Sequence, residues 1–315
     1  RLAGAFRRIG RADIADEIIA VMQRAGFGVR EADPFVLEHG PVVFRGFTPP
    51  IVSRLTAFWH AMRGPVEEIF PAPPGPPEDA SAYLRAVEDI YESDAYHSLS
   101  IEGYRVTPEV IERVGARDWD PTANERDRRD RDALSARGYW QAFQAVKGSL
   151  ERVLEGEDPG PFLDAAHREW YRELFQPFVS VGLFAPGDLA RYRNGAVFLR
   201  GSRHVPPRWE VIREAMPAIL DLINAEEVAS VRAVLGHWMF GYTHPFPDGN
   251  GRIARFLMNL MLAWGGYPWT VIKVDDREEY LAALETASVD SDIRPFATFL
   301  AVRVRELMGD VAPNV

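Results

Sequence analysis

The sequence predicts an all-α protein that carries one short β-hairpin and opens with a small helical region. Three observations point there. Apolar residues recur at three- and four-residue spacing over most of the 315 positions. Glycines and prolines punctuate the ends of those stretches. Only one segment, AVFLRGSRHVPP at 196–207, reads as two short strands about a turn.

From the N-terminus, Ala12 to Ala25 is an amphipathic helix with Ile14, Ile18, Ile19, Val21 and Met22 on its apolar side, ended by Gly26. Pro49 to Met62 reads as a second helix. The proline-rich FPAPPGPPEDAS, 70–81, is the expected domain boundary, separating an N-terminal region, 1–75, from a main body, 76–315. Ser81 to Glu102 is helical and closed by Gly103. Thr107 caps the next helix, with Pro108 at its first position. The mixed-charge run RDWDPTANERDRRDRD, 117–132, reads as solvated. Helices follow at about 136–155, 161–175, 208–223, 226–242, 251–264, 277–287 and 293–308. The hairpin pairs Val197, Phe198 and Leu199 with a return through His204 and Val205. A lone hairpin needs a body to pack on, so here it is expected to be a flap.

Composition narrows the function. The chain has a net charge of −10 and a pI near 5.3, which argues against nucleic acid as a partner. With no cysteine there is neither a disulfide nor a thiolate metal site. No segment reads as a signal peptide or a membrane span, so the expected compartment is the cytoplasm. His97, His167, His204 and His237 lack a second ligand at helical spacing, so no zinc site is expected. Asp275-Asp276 reads as a turn, and Arg7, Arg8 and Arg11 read as a solvated helix end.

The chemistry concentrates in HPFPDGNGRIARF, 244–256. Pro245 and Pro247 stop the preceding helix and leave a loop. The next helix starts at Gly251, so Asp-Gly-Asn-Gly lies at its N-terminus, where bare backbone N–H groups and the helix dipole favour an anion. Arg252 and Arg255, three apart, share a face close to that nest, and guanidinium forks suit phosphate oxygens. Asp248 can hold Mg²⁺ together with substrate phosphates. His244 is the side chain able to take a proton near neutral pH. Phe246, between the prolines, is expected to point inward. These are parts for a nucleotide polyphosphate, its metal and a base that activates a hydroxyl.

At this point the sequence resembles the Fic family, whose motif His-x-Phe-x-(Asp/Glu)-Gly-Asn-Gly-Arg-x-x-Arg is matched without departure by His244, Phe246, Asp248, Gly249, Asn250, Gly251, Arg252 and Arg255. The resemblance implies an enzyme that transfers AMP from ATP to a Ser, Thr or Tyr hydroxyl of a target protein, with itself a further target. It makes His244 the general base and Asp248 the Mg²⁺ ligand. Gly249, Asn250 and Gly251 become the phosphate cradle, Arg252 and Arg255 phosphate contacts, and Tyr280 a neighbour of adenine. Val197, Phe198 and Leu199 become a flap that docks the target by strand addition. SLSIEG, 98–103, resembles the family's inhibitory signature, with Ser98, Glu102 and Gly103 in place. That implies a helix near 85–103 whose Glu102 pairs with Arg255 and blocks productive ATP binding. The resemblance spans about 80–310 and is compatible with a homo-oligomer. Two alternatives stand beside it. One is removal of AMP from a modified protein, with Glu102 positioning water. The other is a regulator whose N-terminal region binds a partner or DNA, with the core as nucleotide sensor.

Overall fold

The computed structural model describes residues 2–26, 29, 31, 48–115 and 131–309; most of the mixed-charge run lies outside them. Two compact units result, Arg1–Thr48 and Pro49–Val315. The first contains α1 (Leu2–Arg8) and α2 (Ala12–Arg24). Its arginines are engaged locally: Arg7 pairs with Asp16 and Glu31, and Arg11 with Asp13. On α2, Ile14, Ile18 and Ile19 are half-buried, whereas Val21 and Met22 are exposed.

Among its described residues the second unit is mainly helical: α3 (Pro50–Ile69), α4 (Ala80–Ile101), α5 (Pro108–Gly115), α6 (Arg131–Leu154), α7 (Pro159–Ser180), α8 (Ile212–Ala225), α9 (Ala229–Thr243), α10 (Asn250–Trp264), α11 (Arg277–Val289) and α12 (Arg294–Met308). It begins at Pro49 rather than at the expected residue 76, because α3 belongs to it. The helix does not stop at Met62 but continues through Gly64 and Pro65. Ile51, Leu55, Trp59, Met62 and Val66 form one buried stripe along it, and Arg63 and Trp59 both donate to Glu226. That burial and ion pairing offset the one hydrogen bond a proline removes. The proline-rich stretch is therefore an internal crossing. Its free carbonyls accept bonds, Tyr267 Oη donating to Pro71 O at 2.6 Å, and Gly75 N donates to Gly265 O at 3.1 Å.

At the centre, α9 and α10 lie against each other and are buried nearly all round. This is the pattern of helices enclosed by others. Around them, α6 and α7 form an antiparallel pair joined by a short turn. They meet at Gly138, where a Cβ would lie 1.9 Å from the Leu174 carbonyl oxygen.

The expected hairpin is corrected. No strand occurs among the described residues, and the flap holds one internal backbone bond, Ser202 N to Leu199 O at 3.2 Å. Most of the return arm's donors are unavailable to a ladder. Pro206 and Pro207 have no N–H, the N–H of Arg203 goes to Glu285 Oε1 at 2.7 Å, and that of His204 goes to Ser202 Oγ at 3.0 Å. The first arm keeps its alternation, with Phe198 79% exposed between half-buried Val197 and Leu199. Among the described residues no helix is long and apolar enough to cross a membrane.

The α6–α7 contact predicts that Gly138→Ala destabilises the protein by about 1–3 kcal/mol, the usual cost of overpacking. Urea unfolding would show it as a lower midpoint at unchanged slope.

Candidate active site

Helix α9 ends at Thr243, and His244 turns left-handed at φ 49°, ψ 60°. The loop beyond is closed by Asn250, whose Oδ1 accepts from Phe246 N at 2.9 Å and whose Nδ2 donates to Phe246 O at 2.8 Å. Phe246 is 1% exposed and stacks on Tyr171 with ring centroids 3.8 Å apart, so it pins the loop as expected. With its side chain so used, Asn250 offers an anion only its backbone. His244 Nδ1 lies 3.4 Å from Gly241 O, which places the proton on Nδ1 and leaves Nε2 as the basic nitrogen. Burial lowers the His244 pKa below its ordinary 6.5, so the ring is neutral at pH 7 and able to accept a proton.

The N-terminus of α10 has no room for Cβ atoms. Gly249 sits at φ 79°, and a Cβ there would come within 2.9 Å of the Phe175 ring; one on Gly251 would come within 2.1 Å of Glu102 Oε1. Asp248 accepts from Gly249 N at 2.6 Å, from Arg252 Nη2 at 3.3 Å and from Tyr104 Oη at 3.3 Å, yet its side chain stays 41% exposed. Arg252 is fully buried between the rings of Tyr104 and Phe175, 5.1 and 5.2 Å from their centroids. Among the described residues its Nε and Nη1 have no hydrogen-bond partner. A buried guanidinium with two unused donors is costly to hold. No group of three His, Cys, Asp or Glu capable of holding a metal occurs among the described residues. Asp248 alone fits Mg²⁺, an ion that usually takes one or two carboxylates beside substrate phosphates.

Arg255 is drawn to a different helix. Its Nε donates to Ser98 Oγ at 2.9 Å, and its Nη2 donates to Ser98 O at 3.0 Å and to Glu102 Oε1 at 2.8 Å. Helix α4 ends there, with Gly103 at φ 90°. The guanidinium thus caps the helix and pairs with its last carboxylate. Glu102, Arg255, His244, Gly251, Leu199 and Tyr280 share the wall of one cavity of about 500 Å³. Tyr280, 2% exposed, lies 2.7 Å from His237 Nε2 through its hydroxyl. Phe198 lines the same cavity; Val197, Asp248 and Arg252 do not.

Sequence reasoning missed three supports. Tyr104 braces both Asp248 and Arg252. Arg277 lines the cavity and donates to the Ile101 carbonyl at 2.9 Å, at the end of α4. Tyr139 donates to buried Asp94 at 2.6 Å, on the same helix as Ser98. The signal for Arg277 was available in principle, since a helix ending at a glycine leaves carbonyls that need donors. His97, His167, His204 and His237 are each held by a hydrogen bond within the fold.

A profile described as the Fic/DOC family matches residues 162–262. The chain is 30% identical over 221 residues to the protein adenylyltransferase Fic of Nematostella vectensis, spanning 69% of this chain and 48% of that one. It is 35% identical over 120 residues to protein adenylyltransferase fic-1 of Caenorhabditis elegans, 37% of this chain and 23% of that one. The chain thus spans about half or less of these relatives' length. The fold is similar to that of C. elegans Fic-1 (residues 134–508), with a TM-score of 0.59 and 22% identity over 84% of this chain and 73% of that one.

The environment of His244 predicts that its ring titrates below pH 6.5. Following its Cε1 proton by NMR between pH 4 and 8 would check this, with His244→Ala assigning the resonance. A midpoint at or above 6.5 would contradict the buried, neutral base.

Proposed function

This chain carries a domain of the Fic/DOC family, and on that premise we propose that it is a protein adenylyltransferase restrained by its own Glu102. The observation that carries the reading is the pairing of a neutral His244 with a loop whose buried Arg252 has two unused donors. One is a base whose Nδ1 faces the Gly241 carbonyl, leaving Nε2 for a proton. The other is a buried cation at the N-terminus of α10. In the proposed reaction His244 Nε2 takes the proton of a target hydroxyl as that oxygen bonds to the α-phosphorus of ATP. The bond to the bridging oxygen breaks, and pyrophosphate leaves. Arg252, the backbone N–H groups of 250 and 251 and, once released, Arg255 hold the phosphates, with Gly249 lining the cradle. Asp248 would hold Mg²⁺, which neutralises phosphate charge when bound. Tyr280 borders the base.

Restraint follows from competition for Arg255. While that guanidinium donates to Glu102 and Ser98, it is unavailable to a γ-phosphate. Apparent ATP affinity then falls with the fraction of molecules in which the pair is open. A second reading has its own support: the Glu102 carboxylate lines the cavity that His244 lines, so it can orient water for removal of AMP.

Incubation with labelled ATP and a lysate tests the main reading. His244→Ala should reduce AMP incorporation by ~10²–10⁴-fold, the usual worth of general-base catalysis. Glu102→Gly should raise it by at least about tenfold, roughly 1.4 kcal/mol. Arg255→Ala should not, and the double variant should be as inactive as Arg255→Ala. No gain in Glu102→Gly would remove the restraint, whereas its loss of AMP release from a premodified protein would favour the second reading.

The flap gives a separate expectation. Val197 lies in the extended first arm, outside the nucleotide cavity, so a target segment can use that backbone by strand addition. Val197→Pro removes one donor. Target modification should fall while calorimetric ATP binding stays unchanged; parallel loss of both would place the flap in the nucleotide site.

A further inference from the structure

The C-terminus of α9 raises a question that the catalytic motif does not answer. A helix end leaves its last carbonyls without intrahelical donors. Here the usual substitutes are also missing, because Pro245 and Pro247 have no N–H and that of Phe246 goes to Asn250. The chain bearing His244 therefore presents a row of unpartnered carbonyls in a buried place.

The flap supplies their donors. Tyr242 O accepts from His204 Nε2 at 2.9 Å. Thr243 O accepts from Arg193 Nη2 at 3.4 Å, His244 O from Arg193 Nε at 2.7 Å, and Pro245 O from the Arg193 backbone N at 2.8 Å. Three successive carbonyls are thus held by one residue. The same guanidinium also donates to Gly195 O, at 2.9 Å from Nη1, and to Pro207 O from Nη2. Gly195 and Pro207 are the two feet of the flap. Arg193 is 4% exposed, and no carboxylate pairs with it among the described residues. Its charge is met by carbonyl dipoles, which at a helix C-terminus carry partial negative charge.

We propose that Arg193 is a positioning residue that fixes the backbone of His244 and the feet of the flap to one guanidinium, and so sets the distance between the base and a docked hydroxyl. The planar fork is what makes this work. Nε, Nη1 and Nη2 point in fixed, different directions, so carbonyls on two segments are held in one rigid relation. A lysine offers three donors around one atom and cannot span them all. The left-handed backbone at His244 makes the clamp more telling. A non-glycine residue at φ 49° persists only where its surroundings over-determine it. In this structure the surroundings on the carbonyl side are Arg193.

The inference rests on the adenylyltransferase reading for its consequence but not for its geometry, and the test separates the two. In the Glu102→Gly background, Arg193→Met keeps the apolar stem and removes every side-chain donor, while Arg193→Lys keeps the charge and part of the bonding. Two readouts are taken. The first is kcat and KM for ATP in AMP transfer. Arg193→Met should lower kcat by roughly 10²-fold, the scale of a misplacement of about 1 Å, with KM for ATP within about twofold. Arg193→Lys should recover part of that loss. The second readout, amide hydrogen exchange, needs no activity. In Arg193→Met it should accelerate together in the flap, 194–206, and in the catalytic loop, 244–250, with α9 and α10 still protected. Should Arg193→Met fail to fold, the same paired acceleration, smaller in extent, is expected of Arg193→Lys. Acceleration in one segment alone, or unchanged kcat in the folded variant, would overturn the proposal. Absence of AMP transfer in the Glu102→Gly parent would instead sink the enzymatic reading, leaving the exchange result to decide the clamp.

Discussion

The site depends on a constraint of helix ends. Two helices terminate at the cavity, α4 beside Glu102 and α9 beside His244. Each arrives with carbonyls that its own backbone cannot satisfy, and in each case an arginine from elsewhere in the chain fills the gap. Arg255 donates to the Ser98 carbonyl, with Arg277 completing α4 at Ile101. Arg193 donates to Thr243 and His244. Cations are the favoured partners here because the helix dipole places partial negative charge at this end. Positive charge thus gathers around the cavity in a chain whose net charge is −10.

The two arginines differ in what else competes for them. Arg193 has its donors spread over carbonyls of two segments and carries no carboxylate partner among the described residues, which suits a fixed part. Arg255 meets one hydroxyl, one carbonyl and one carboxylate, and the carboxylate is 27% exposed in a solvent-reached cavity. Burying such a pair is costly and is weak evidence of stabilisation. A contact that another anion can replace is better understood as an exchangeable one. Gly251 fits this view: its missing Cβ leaves space that the Glu102 carboxylate now enters.

The flap shows how satisfaction of polar groups overrides local propensity. AVFLRG has the composition of a strand, and its first arm keeps a strand's alternation. No ladder forms among the described residues: the N–H groups of Arg203 and His204 go to Glu285 and Ser202, and Pro206 and Pro207 have none. The first arm has no strand partner among the described residues, which is the condition that the proposed docking of a target segment requires.

Sequence alone determined the parts whose cause is local. The helices around Ala12–Arg24, Ala80–Ile101 and Asn250–Trp264 follow from spacing and from their punctuating glycines and prolines. The motif from His244 to Arg255, which the Fic/DOC profile also covers, announced its chemistry through residue types at fixed spacing. Only the tertiary structure decided what needed distant partners. It carried α3 past Gly64-Pro65, because Glu226, 163 residues away from Arg63, anchors it. It moved the unit boundary to Pro49. It dissolved the hairpin through Glu285 and turned the Asn250 side chain back onto Phe246. It also recruited Arg193, which no motif marks, to hold the backbone of His244. The physical reason is the same throughout. A repeating pattern reports where apolar side chains will be buried, but the donor that meets a buried carbonyl or carboxylate can come from anywhere in the chain, and only the folded arrangement selects it.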